Sequence, residues 1–371
     1  MRIGFTPDQE KLRLSLRTYF ADLMTPALRR ALDDPDGEYG DGAAYRQVVR
    51  QLGRDGWLST DGRTRIDQLI FTDEAALAGV PVPFLTLHTV APTIARHGTD
   101  QQKAELLPRI AAGEAHFSIG YSEAGAGTDL AALRTRAVRD GDSYVINGQK
   151  MWTSLIRYAD YVWLACRTDP DAPRHRGLSI LIVPTDAPGF SWTPVRTVAG
   201  PTTSATYYDD VRVPASALVG AENEGWRLIT DQLNHERVAL TSAAPLQLSL
   251  AEVTAWAATS GANRQEWVRL HLARVHAKVE VLKLFNWRVA SGSLSPVDAS
   301  AGKVYGTELA IEAYRLLTEV LRAPGPAPGP DVAGRIARMY RSSLILTFGG
   351  GANEVQRDII AAAALGLPVR R

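Results

Sequence analysis

The feature that most restricts what this chain can become is a double change of hydrophobic period. Up to about residue 115, apolar residues recur at helical spacing. From about Phe117 to Val219, short β-branched and aromatic runs such as Tyr161-Val162-Trp163-Leu164-Ala165-Cys166 and Leu178-Ser179-Ile180-Leu181-Ile182-Val183 alternate with Pro, Gly and Asp clusters. From Trp226 to about Ala364 helical spacing returns. At 371 residues the chain exceeds one compact core, so two or three packed parts are expected. The order predicts a multi-part α+β protein: an N-terminal helical domain over 1–116, a middle antiparallel β-domain over 117–222 and a C-terminal helical bundle over 223–371.

Local signals fill in the first part. Thr6-Pro7-Asp8-Gln9 reads as a helix start with a capping box, and Leu12, Leu16, Tyr19, Phe20 and Leu23 then share one face. Ala44 to Leu52, Asp67 to Leu77 and Asp100 to Leu107 read as further helices. Asp33 to Gly42 and the Pro-Gly tract from Ala323 to Pro330 read as loops.

Charge excludes some partners. Lys and Arg number 41 against 40 Asp and Glu, which supplies no field for gripping nucleic acid or an anionic membrane. The N-terminal residues lack the apolar core of a signal peptide, and no apolar run approaches the roughly 20 residues of a membrane span. The single cysteine, Cys166, fits a reducing compartment, and the expected location is the cytoplasm. His88, His97 and His175 show no ligand spacing with Cys or carboxylates, so no metal site is expected.

Two segments carry the chemistry. Tyr121-Ser122-Glu123-Ala124-Gly125-Ala126-Gly127-Thr128-Asp129 is a strand end opening into small residues, where Gly125 and Gly127 let main-chain N–H groups approach a ligand. About 20 residues on, Gly148-Gln149-Lys150-Met151-Trp152-Thr153-Ser154 follows Tyr144-Val145-Ile146. The intervening Asn147-Gly148 predicts a two-residue hairpin turn.

Together the segments resemble the middle domain of the acyl-CoA dehydrogenase family, with its Thr/Ser-Glu-Pro-x-Ala-Gly-Ser/Thr-Asp loop and Gly-x-Lys-x-Trp-x-Thr/Ser run; Ala124 stands where proline is usual. The resemblance covers nearly the whole chain. It implies that family's fold, with 223–371 as a four-helix-bundle domain, FAD as cofactor, an acyl-CoA substrate and an electron acceptor such as electron-transfer flavoprotein. Carried over residue by residue, Tyr121 and Ser122 lie along the isoalloxazine ring, with Ser122 and the Gly125 to Thr128 backbone on its polar edge. Thr128 contacts flavin phosphate or the CoA arm, Trp152 packs on the flavin and Ser154 faces its N5 side. In isolation Trp152 would more simply be a sheet-core aromatic.

Oxidation of an acyl thioester to its α,β-enoyl form needs a carboxylate to take the α-proton and a flavin to accept the β-hydride. In many relatives a Glu precedes a C-terminal Gly-Thr-x-x-Ile-Gln-Arg motif, but here Gly350 stands in that place, ahead of Gly351-Ala352-Asn353-Glu354-Val355-Gln356-Arg357. Other members carry the Glu on an earlier helix in a Glu-Arg-Leu/Val motif, matched by Glu236-Arg237-Val238. Ile229, Leu233, Glu236, Leu240 and Ala244 are spaced as one apolar stripe, in which a carboxylate is costly unless paired or used. Glu236 is therefore the expected base, against the plainer reading of a core-edge Glu paired with Arg237. Gly350 retains a backbone N–H able to polarise the thioester carbonyl.

The family's Arg-x-x-Phe-Gly and Gln-x-x-Gly-Gly-x-Gly segments, which complete a neighbour's flavin site, are missing. Arg264 to Val268 and the tract from Ala323 to Pro330 stand in their places. With Thr203 to Tyr208 and the ending Ala362 to Pro368, this resembles the catalytic subunit of actinobacterial α2β2 acyl-CoA dehydrogenases of steroid side chains. The resemblance implies a homologous second subunit supplying the other half of the site. The rival readings are a flavin monooxygenase or oxidase on the same fold, which would not need Glu236, and a non-catalytic partner subunit.

Overall fold

The computed structural model describes residues 4–32, 39, 42–59, 62–200, 202–239, 241–292 and 295–368, without the side chains of 234–239. The first part contains α1 (Pro7–Leu23), α2 (Pro26–Leu32), α3 (Ala43–Arg54), α4 (Arg65–Ala78), a π-helical turn Leu85–Val90 running into α5 (Ala91–His97), and α6 (Asp100–Ala111). The same device starts three of these helices. Thr6 with Gln9, Thr64 with Asp67 and Thr99 with Gln102 form reciprocal capping boxes that satisfy otherwise orphaned N–H groups. On α1, Leu16 and Phe20 are wholly buried, as the spacing requires. The tract from Asp33 to Gly42 falls largely outside the described residues.

α4 also carries a testable electrostatic feature. Asp73 Oδ1 accepts from Ser242 Oγ at 2.7 Å. Burial pushes this carboxyl up to about 6 and Glu74 adds to the shift, while Ser242 and Lys283 oppose it. A carboxyl whose folded pKa lies above its unfolded value binds an extra proton in the folded state, so stability falls as pH rises from about 4 to about 6. Asp73→Asn keeps the acceptor for Ser242 and removes the charge. It is expected to stabilise the protein at pH 8 by about 1–3 kcal/mol and to change little at pH 4. Thermal melting at the two pH values checks this, and an equal effect at both would overturn it.

The middle part is one eight-stranded sheet: β1 (Phe117–Gly120), β2 (Arg136–Asp140), β3 (Ser143–Lys150), β4 (Tyr161–Arg167), β5 (Leu178–Pro184), β6 (Phe190–Val195), β7 (Thr203–Pro214) and β8 (Leu218–Val219). The order is β6-β7-β3-β2-β4-β5-β8, antiparallel except that β4 runs parallel to both β1 and β2.

One local expectation is corrected here. Asn147-Gly148 is not a hairpin turn: β3 runs straight through it, and the turn joining β2 to β3 is Gly141-Asp142, with Gly141 at φ 59°. β3 is an interior strand gripped by β2 on one side and β7 on the other, and that pairing overrides the local turn preference. The register against β7 shifts here because β7 carries the extra residue: Asp209 and Asp210 lie opposite Asn147, with Asp210 at φ 49°, a bulge pinned by Asn147 Nδ2 donating to Asp210 Oδ1 at 2.8 Å. Gly148 sits at φ 147°, and a Cβ there would lie 2.6 Å from Thr135 Oγ1.

The last part comprises α7 (Gly225–Ala239), α8 (Ala244–Ser260), α9 (Glu266–Ser291), α10 (Pro296–Val320), α11 (Pro330–Ser343) and α12 (Asn353–Leu365). The stripe running to Ala244 is also corrected, because α7 ends at Ala239 and Ala244 opens a separate helix, α8. Three cores result. One joins the N-terminal helices to one face of the sheet and to Leu228 and Ile229 of α7; a second fills α8 to α11; a third lies on the sheet's other face. α7 is thus packed with the sheet as well as with α10.

Candidate active site

The site is built where β1 and β3 end. Tyr121 follows β1 directly, and Met151, just past β3, donates its N–H to Ser122 O at 2.8 Å, so the two sequence segments lie side by side. Beneath them Lys150 is fully buried. Its Nζ donates to Glu123 Oε1 at 2.8 Å and to Tyr121 O at 3.0 Å. The Glu123 carboxylate also accepts from the N–H groups of Arg134 at 2.7 Å and Thr135 at 2.8 Å, which closes the loop onto the start of β2. Burial works against the charge on Glu123, but Lys150 and these two amides hold its carboxyl below the usual carboxylate range. Burial pushes the Lys150 ammonium down, and Glu123 opposes it. The sequence carries one signal of this latch: Tyr144, Ile146 and Lys150 share one strand parity, and the first two are core residues.

The upper face of the loop is open. A Cβ at Gly125 or Gly127 would meet no atom of the chain within 4 Å, and neither residue has a positive φ. Neither packing nor a positive φ requires glycine at these positions, which leaves the main chain open to close approach. Thr128 is exposed, and Ser122 is half-buried. Trp152 is 55% exposed and held at φ 64°, an uncommon conformation for an aromatic residue. It is therefore not a sheet-core side chain. Ser154 is half-buried, its carbonyl accepting from Ser118 Oγ at 2.8 Å and its Oγ lying 3.4 Å from Thr203 Oγ1. These residues fit a flat, polar ring system laid against the loop with an aromatic beside it.

The Tyr121 side chain reaches α7. The residue is 7% exposed, and its hydroxyl donates to Gln232 Oε1 on that helix. Trp163 Nε1 on β4 donates to the same oxygen at 2.9 Å. Glu236 lies one turn further along α7, where its side chain falls outside the described residues.

Gly350 lies in the turn before α12 at φ 66°, followed by Gly351 at φ 97°, so the turn needs glycine at both positions. A second fully buried lysine, Lys303 of α10, supports this turn. Its Nζ donates to Thr347 O at 3.1 Å, Gly351 O at 2.8 Å and Asn353 Oδ1 at 2.6 Å.

Comparison with known proteins bears directly on this geometry. Models of the N-terminal, middle and C-terminal domains of acyl-CoA dehydrogenases match residues 6–114, 118–211 and 223–365. The chain belongs to the acyl-CoA dehydrogenase family. That is a family of flavoproteins, in general FAD-dependent. The chain is 63% identical to the acyl-CoA dehydrogenase FadE26 of Mycobacterium tuberculosis, over 99% of each chain, and 46% identical to FadE29 of the same organism, also over 99% of each. Among solved structures it resembles a chain of the ChsE4-ChsE5 complex from Mycobacterium tuberculosis, at 61% identity and TM-score 0.91 over the whole of both chains. It also resembles a chain of the Tcur3481-Tcur3483 steroid acyl-CoA dehydrogenase, at 46% identity and TM-score 0.92 over the whole of both. Among the described residues no helix is long and apolar enough to cross a membrane.

Proposed function

We infer that this chain is the catalytic subunit of an FAD-dependent acyl-CoA dehydrogenase acting on a bulky, sterol-derived side-chain thioester. The observation that carries the reading is the pair of stapled segments, Tyr121 to Asp129 and Lys150 to Ser154, presenting open glycines and an exposed tryptophan on one side. Ser122, the Gly125 to Thr128 backbone, Trp152 and Ser154 hold the cofactor, with Tyr121 at the ring's margin and Thr128 also reaching the CoA arm. Bound FAD supplies the acceptor for the hydride leaving the β-carbon. Glu236 takes the α-proton, and the Gly350 N–H hydrogen-bonds the thioester carbonyl, which makes that proton more acidic. The steroid substrate class rests on the likeness to the Tcur3481-Tcur3483 protein.

Both of the solved relatives named above are two-protein complexes, and this chain lacks the segments that complete a neighbour's flavin site. The assembly is therefore an α2β2 heterotetramer with a homologous second chain, located in the cytoplasm and reoxidised by an acceptor such as electron-transfer flavoprotein. The test is co-expression with a homologous partner, followed by anaerobic addition of sterol side-chain and straight-chain acyl-CoAs. Bleaching of the flavin absorbance by the sterol thioester is expected. Stoichiometric FAD and turnover in the isolated chain would overturn the subunit arrangement, and preference for short straight chains would overturn the substrate class.

A further inference from the structure

Gln232 is 1% exposed, and its carboxamide oxygen accepts from two donors: the hydroxyl of Tyr121, just past β1, and Nε1 of Trp163 in β4. Trp163 Nε1 also lies 3.2 Å from the Tyr121 hydroxyl, so the three groups meet at one point. Both donors sit on the oxygen, which fixes the orientation of the amide and leaves Nε2 buried with no partner. A buried, unsatisfied N–H is costly, and an apolar residue of similar volume would avoid that cost. Packing alone therefore does not account for a glutamine here.

Its position does. Tyr121 opens the loop assigned to the flavin, Trp163 lies in β4, and Gln232 stands four residues before Glu236 on α7, on the same helical face. A helix free to rotate by a few degrees, or to slide by a fraction of a turn, would carry every residue on that face with it. We propose that Gln232 is a positioning residue: by tying α7 to Tyr121 and Trp163 it sets the angle at which the next turn of that helix faces the flavin loop. This deepens the function inferred above and rests on it. The reacting groups belong to other residues, and Gln232 acts through the helix that carries one of them.

Gln232→Met keeps the volume and removes the acceptor. In the FAD-loaded assembly it is expected to lower the rate of flavin reduction per bound flavin by about tenfold or more, since small misplacements of reacting groups are that costly. KM should change little, and the isotope effect with α-deuterated acyl-CoA should rise. The isotope effect does not depend on how much of the enzyme is folded, so a purely structural role would leave it unmoved. In the cofactor-free protein, amide hydrogen exchange over residues 225–233 should quicken. If Gln232→Met folds poorly, Tyr121→Phe removes one arm of the tie by a single hydroxyl and is expected to shift the same readouts in the same direction. An unchanged rate per flavin, isotope effect and exchange would overturn the proposal. Should Glu236→Gln still allow full flavin reduction, the base assignment fails instead, and the exchange arm alone decides whether Gln232 fastens α7.

Discussion

Glu236→Gln is expected to leave FAD bound and to slow flavin reduction by acyl-CoA by about 10²–10⁴-fold, the usual worth of a positioned general base. The substitution is nearly isosteric and keeps a hydrogen-bonding oxygen, so α7 should form as before and the visible flavin spectrum should be unchanged. Only the ability to accept the α-proton is lost. The position that serves this purpose in many relatives offers no substitute carboxylate, because here it is Gly350, which lies in a glycine-dependent turn. The plainer role for Glu236, a structural partner of Arg237, makes a different forecast: a lower melting temperature with turnover per folded molecule intact. Stopped-flow flavin bleaching alongside thermal melting separates the two. Retained bleaching would remove Glu236 from the mechanism.

The parts of this molecule that the sequence states openly are those decided by local period and by end signals. The capping boxes at Thr6, Thr64 and Thr99 and the burial of Leu16 and Phe20 follow from neighbours within four residues. The family loop and the Lys-x-Trp run are equally readable, because their glycines serve a purpose visible in composition. Long-range pairing is not readable in the same way. Asn147-Gly148 has the best local turn chemistry in the chain, yet it lies inside a strand because β2 and β7 both claim that strand. The break between Ala239 and Ala244 is not legible in the sequence because apolar spacing continues across it. Gln232 carries no local signal, since a glutamine beside an apolar stripe looks like a helix edge until Tyr121 and Trp163 arrive from 111 and 69 residues away. Lys303 was hidden likewise: its acceptors are main-chain carbonyls and an amide from a turn more than 40 residues later.

Breaking the Glu123–Lys150 latch is the other change with a large expected effect. Glu123→Gln leaves a fully buried ammonium facing a neutral amide and sets the new NH₂ group against the N–H donors of Arg134 or Thr135. Removing one partner of a buried pair costs about 3–5 kcal/mol, far above the 1 kcal/mol or less of an exposed pair, because the remaining charge has lost both water and counterion. The second substitution distinguishes this cause from mere loss of a contact. Lys150→Met added to Glu123→Gln takes the stranded charge away, so the double variant should be more stable than Glu123→Gln alone, although the loop still lacks its tie to Tyr121 O. FAD affinity should stay weak in both, since the loop's hold on Ser122 and the glycines depends on the latch itself. The depressed pKa of Glu123 adds a sign to the comparison. Its contribution is present above the ordinary carboxylate range and is lost as pH falls through the folded value, so the gap between the native chain and Glu123→Gln should narrow in acid. Denaturation of the three proteins at pH 7 and pH 4, with FAD titration at pH 7, measures all of this. A double variant less stable than Glu123→Gln would show that the pair stabilises through its own attraction and that the stranded charge is not what costs the energy.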